Sequence, residues 1–113
     1  LLGGHFEIVQ SRGLSKSHFC SLTGLGEEVY RKTEKNIDTK PSLRTIVAIG
    51  RGLDFDIGTT EKLLQLAGHA FDESDEHQAL KYCITGFSGM TIDDANEFLE
   101  SYNYEPLGSK QRL

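Results

Sequence analysis

The chain of 113 residues has no apolar run longer than Ile46-Val47-Ala48-Ile49, and this excludes a transmembrane helix. Its two cysteines, Cys20 and Cys83, are too few for a disulfide scaffold and fit a reducing cytoplasm. Neither they nor the four histidines, His5, His18, His69 and His77, fall at C-x-x-C or H-x-x-x-H spacing, so no metal and no cofactor is expected. No charged-then-apolar leader opens the chain, and the missing initiator Met reads as a trimmed or partial chain. Apolar and polar residues nowhere alternate for long, and no Asn-Gly or Asp-Gly pair marks a hairpin, so strands are not expected.

What is present is charge of two signs, unevenly placed. The formal net charge is −5. Residues 1–53 carry eight Lys and Arg (Arg12, Lys16, Arg31, Lys32, Lys35, Lys40, Arg44, Arg51) against five acids, a net of +3. Residues 54–113 carry four bases against twelve acids, a net of −8. The asymmetry hints that the first half faces a polyanion.

Helical spacing recurs along the chain. Ile8 and Val9 lie in a first helix that Gly13 ends. Ser15 reads as the N-cap of a second, with Phe19, Cys20 and Leu22 inward, and Thr23-Gly24-Leu25-Gly26 interrupts it tightly. A third helix runs from Glu27 to about Lys35. After a polar loop and Pro41, Ser42 caps a fourth, whose Leu43, Ile46, Val47, Gly50 and Leu53 follow the i, i+3, i+4, i+7 rule. Asp56 caps a fifth, with Ile57, Leu63, Leu64 and Ala67 inward and Gly68 as its stop. Ser74 starts a sixth that buries Ala79, Leu80, Cys83 and Phe87. Thr91 and Asp94 resemble a capping box opening a seventh, with Ile92, Ala95, Leu99 and Tyr102 in one stripe. Seven helices with short connections predict an all-α bundle.

The segment from Lys16 to Glu34 has the layout of a helix-turn-helix. Two short helices must cross steeply over a three- or four-residue turn, which needs φ > 0, and Gly24 supplies it without steric cost. Cys20, four residues earlier, is small enough for the close approach, and Leu25 and Tyr30 pack the pair together. Glu27, Glu28, Arg31, Lys32 and Lys35 then project outward.

On these residues the chain resembles the lambda-repressor-like, or XRE, family of helix-turn-helix regulators. Lys40-Pro41-Ser42-Leu43-Arg44-Thr45-Ile46-Val47-Ala48-Ile49 is similar to that family's fourth helix, and Leu53-Asp54-Phe55-Asp56-Ile57 to its link into the fifth. Leu63-Leu64-Gln65-Leu66-Ala67-Gly68, Asn96-Glu97-Phe98-Leu99 and Pro106-Leu107-Gly108 resemble members with a short C-terminal helical extension. The resemblance spans roughly residues 5–108. It implies a five-helix DNA-binding domain over residues 1–70 and two further helices over 71–113 packed on it. It implies a sequence-specific transcriptional regulator in the cytoplasm, binding double-stranded DNA as a homodimer.

Carried over by position, Lys16 and Ser17 lie at the DNA backbone, and Gly26, Glu27 and Glu28 enter the groove first. Arg31 and Lys32 follow, while Lys35, Asn36 and Lys40 contact phosphate from the loop. Two departures stand out. Members often have Ser or Thr where this chain has Gly26, and uncharged polar residues where it has Glu27 and Glu28. Two carboxylates repel phosphate, although one can accept from cytosine N4, and acids in a first turn also complement the helix dipole. These departures support the alternative of a protein-interaction module on a helix-turn-helix scaffold that has lost DNA binding.

Other constellations carry no chemistry. Asp72-Glu73-Ser74-Asp75-Glu76 fails as a calcium loop, because His77 and Cys83 fall where Gly and Glu are required. Gly50-Arg51-Gly52 lacks the preceding strand and following Lys-Ser/Thr of a phosphate loop, and its glycines read instead as close-packing positions. No acid, base and nucleophile assemble, so the chain reads as a non-enzyme. Tyr102, Tyr104, Pro106 and Leu107 form an apolar tail that covers either its own core or a two-fold interface.

Overall fold

The computed structural model describes residues 15–34, 41–86 and 89–108, with residues 32–34 as helical backbone. Six helices lie among them: α1 (Lys16–Thr23), α2 (Glu27–Glu34), α3 (Leu43–Gly52), α4 (Ile57–Leu66), α5 (Asp75–Thr85) and α6 (Ile92–Ser101). There is no strand among the described residues. The helix expected around Ile8 and Val9 and the burial expected of Phe87 lie outside them.

Each helix start with a defined cap uses the residue the sequence points to. Ser15, Ser42, Asp56, Ser74 and Thr91 have extended backbone, and each side chain accepts from the N–H three residues on. Asp56 makes the shortest of these bonds, 2.7 Å to Thr59 N, which holds its carboxyl below the usual range. At α6 the box is reciprocal: Asp94 N donates to Thr91 Oγ1 and Thr91 N to Asp94 Oδ2, both at 3.1 Å. Such caps contribute about 1 kcal/mol each.

Helix α3 is the axis of the fold, with every residue from Ile46 to Arg51 buried. It packs against α1, α4, α5 and α6, so the helices α5 and α6 share one core with α1, α3 and α4. Its two glycines set the approach distances. A Cβ on Gly50 would lie 2.6 Å from Thr60 Oγ1 on α4. One on Gly52 would lie 2.6 Å from the Leu22 carbonyl oxygen and 2.8 Å from Thr23 Cγ2 on α1. Gly52→Ala should therefore lower stability by about 1–3 kcal/mol from overpacking, despite about 1 kcal/mol of helix-propensity gain. Gly58, whose Cβ would meet only Asp56 Oδ1 at 3.6 Å, is the control. Urea midpoints should fall for Gly52→Ala and hold or rise for Gly58→Ala; equal midpoints would refute the packing account.

One expectation about an inward face needs correction. Tyr102 does not continue the inward stripe of Ile92, Ala95 and Leu99; it is 61% exposed. Helix α6 ends at Ser101, and Asn103 at φ 66 turns the chain away, leaving the Tyr102 ring on Phe98 outside the core. Arg51, counted among the bases of the first half, is 6% exposed. Its guanidinium donates to the Cys83 carbonyl at 3.2 Å and to Asp54 Oδ1 at 2.8 Å. Thr60 is fully buried although polar, because its hydroxyl donates back to the Asp56 carbonyl at 3.0 Å.

Candidate nucleic-acid interface

The α1–turn–α2 unit is built from short-range contacts. Ser15 starts α1, and Phe19, four residues on, is fully buried. The Phe19 ring meets Tyr30 of α2 with centroids 5.2 Å apart and planes tilted by 60°, a pairing that adds about 0.5–1.5 kcal/mol beyond burial. Gly24 takes φ +73 and its N–H donates to the Cys20 carbonyl at 2.9 Å, closing α1. Leu25 is buried under the turn.

Thr23 is the residue that sequence reasoning passed over here. It is fully buried; its hydroxyl donates to the Phe19 carbonyl at 2.9 Å and accepts from Leu25 N at 3.2 Å. One side chain thus satisfies a helix-end carbonyl and a turn amide. Threonine's tendency to bond backbone within four residues was the available signal.

Part of the expected set lies on the described outer face. Lys16, Ser17, Glu27, Glu28 and Arg31 are exposed, and Gly26 is half-buried with its carbonyl accepting from Val29 N at 3.2 Å. Lys16 Nζ lies 3.3 Å from Glu27 Oε1, linking the start of α1 to the start of α2. Both side chains are more than half exposed, so the pair adds at most about 1 kcal/mol. Lys32 belongs to α2 through its backbone, and Lys35, Asn36 and Lys40 lie outside the described residues.

The structure revises the charge of this region. Arg51 is withdrawn into the core, and Arg44 is half-buried, with Nη1 2.6 Å from Glu76 Oε2 and Nη2 donating to the Glu105 carbonyl. On the described outer face the charges of Lys16 and Arg31 are balanced by those of Glu27 and Glu28. Two of the eight bases counted in the first half, Arg44 and Arg51, are therefore committed to contacts within the fold.

The stretch of chain after α6 braces the turn from behind. Asn96 binds Leu107 at both backbone groups, accepting from its N–H at 2.6 Å and donating to its carbonyl at 3.2 Å. Leu107 is 2% exposed, so this end of the tail covers the core of its own chain. Gly108, at φ +93, sits so close to the turn that a Cβ there would lie 2.5 Å from the Gly24 carbonyl oxygen. A side chain at that position is excluded both by the backbone conformation and by the contact.

Between α1 and α6 lies an open cleft of about 780 Å³, with Ser17, Cys20 and Ser21 on one wall and Asp93, Asn96, Glu97 and Glu100 on the other. Burial, with help from the Glu27 carboxylate and against Lys16, raises the Cys20 thiol above its ordinary value. Cys83 is buried and pushed up to about 11 by desolvation, so it packs as a neutral thiol. Among the described residues no group of three or more His, Cys, Asp and Glu is placed to hold a metal ion. No helix among them is long and apolar enough to cross a membrane.

No family model matches the chain, and neither a curated protein nor a solved structure matches it.

Proposed function

We propose that the chain is a DNA-binding transcriptional regulator of the helix-turn-helix type, resembling the lambda-repressor-like family and acting as a homodimer on two-fold sites. The observation that carries this reading is the α1–Gly24–α2 unit: a positive-φ glycine, a buried Phe19–Tyr30 contact behind it, and Glu27, Glu28 and Arg31 exposed on α2. A helix so held presents its N-terminal half to a major groove. Phosphate contacts from Lys16 and from Lys32, Lys35, Asn36 and Lys40 supply affinity in this reading, and base contacts from Glu27, Glu28 and Arg31 supply specificity.

The Lys16–Glu27 pair supports a second reading, a protein-interaction module on the same scaffold, because it neutralises a cation that DNA binding needs. Fluorescence anisotropy with duplexes covering the DNA beside the protein's own coding region separates the two. DNA binding predicts that Arg31→Ala weakens affinity by 1–3 kcal/mol, roughly 5- to 150-fold, if Arg31 reads a base, or lowers the salt slope by about one if it holds a phosphate. Glu27→Gln should strengthen binding to non-cognate sequences, since it removes a repulsive charge and frees Lys16, and so narrow the margin by which the cognate site is preferred. Lys62→Ala, exposed on α4, should change nothing. Absence of binding at low salt refutes the DNA reading.

A further inference from the structure

Tyr82 on α5 and Phe98 and Tyr102 on and just after α6 form a continuous run of rings. The Tyr82 and Phe98 centroids are 4.8 Å apart, and those of Phe98 and Tyr102 are 5.3 Å apart. Tyr82 is 42% and Tyr102 61% exposed, and Phe98 is half-buried. Of the three rings only Phe98 packs against the core, which Leu80, Cys83, Ile84, Ile92, Ala95 and Leu99 fill from the same two helices. Contiguous exposed aromatic surface of this kind marks an interaction site more often than a scattered single residue does.

The charges around the rings select the occupant. Helix α6 carries Asp93, Asp94, Glu97 and Glu100 and no base. Asp94, whose Oδ2 also accepts from Thr91 N, lies one helical turn before Phe98, so a carboxylate stands on the ring-bearing face of α6. A second copy docking by the same face would set these acids against themselves, because a two-fold contact is self-complementary. An arginine side chain answers both features: its guanidinium stacks flat on an aromatic ring and its fork of donors fits a carboxylate.

We propose that the Tyr82–Phe98–Tyr102 face docks an arginine-rich segment of a partner polypeptide. This surface is separate from the exposed face of α2, and the proposal stands whether or not that face binds DNA.

The probe is an acetylated, amidated nonamer of arginine titrated into the isotopically labelled protein, with the lysine nonamer beside it. Saturable amide and ring shifts are expected at Tyr82, Phe98 and Tyr102, with the arginine peptide binding more tightly than the lysine one. Y82S/Y102S removes two exposed rings and no charge, and should weaken the arginine peptide on the order of tenfold. If the double variant loses its cooperative melt, Tyr102→Ser alone serves, since that ring lies beyond the end of α6. Equal affinity in the folded variant would show that charge alone holds the peptide and would overturn the proposal, as would shifts confined to other helices. A concentration-dependent dimer in sedimentation, lost in the same variant, would also overturn it by making a second copy the occupant.

Discussion

Replacing Phe19 with Ala should cost about 3–5 kcal/mol of unfolding free energy, among the largest single losses a domain of 5–15 kcal/mol total stability can sustain. The ring is fully buried, and it is where α1, α2 and the shared core meet. Two losses add: the transfer free energy of the ring and the cavity left beneath Tyr30, which the short turn at Gly24 cannot close by moving α2 inward. The effect should be local as well as global. With its contact at 5.2 Å gone, Tyr30 loses the partner that fixes the crossing of the two helices. Amide exchange in α2 should therefore rise more than in α5 at conditions where the variant is still folded. Phe19→Leu, which refills most of the volume, should recover most of the loss. A drop in urea midpoint no larger than that of an exposed substitution would show that α2 is not held through this ring.

Arg51→Ala should also be large, about 2–5 kcal/mol, for a different reason. Arg51 is almost wholly enclosed, and its guanidinium joins the end of α3 to the Cys83 carbonyl near the end of α5. The same group donates to Asp54, which holds φ 59 in the link to α4, a backbone conformation disfavoured outside glycine. Truncation empties the volume of the alkyl stem, strips the bond to the carbonyl and removes the anchor of a strained link. Arg51→Met separates these contributions: it keeps stem volume and loses both hydrogen bonds, so its midpoint should fall between wild type and Ala. Because Asp54 is largely exposed, no buried carboxylate is stranded in the Ala variant. If Arg51→Ala proves as mild as Arg31→Ala, the residue is not the tie between α3 and α5.

Much of this fold is legible residue by residue. The N-caps at Ser15, Ser42, Asp56, Ser74 and Thr91 follow from an oxygen that can reach an amide three positions on. The inward face of α3 follows from apolar spacing, and the crowding at Gly50 and Gly52 from two glycines inside an otherwise apolar helix. The candidate site is legible to the same depth: the turn at Gly24, the packing of Leu25 and Tyr30, and the outward set Lys16, Glu27, Glu28 and Arg31. Polar residues that serve the interior escape this reading. Thr23, Thr60 and Arg51 count as surface in any hydrophobic pattern, yet each is buried because a particular carbonyl lies in reach. Tyr102 misleads in the opposite sense, since the helical stripe it belongs to stops one residue before it.

The sequence by itself determined the helical class, the cap of each helix whose start is defined, and the geometry of the α1–α2 turn, because those depend on groups within four residues of one another. Tertiary structure alone decided which charges remain at the surface. Arg44 finds Glu76 and Glu105, and Arg51 finds Cys83, across 32 and 61 positions of chain that no local pattern spans. It also decided that Gly108 stands against Gly24 and that Tyr82 meets Phe98. Burial and pairing of a polar group depend on which distant backbone reaches it, and only the packed helices set that distance.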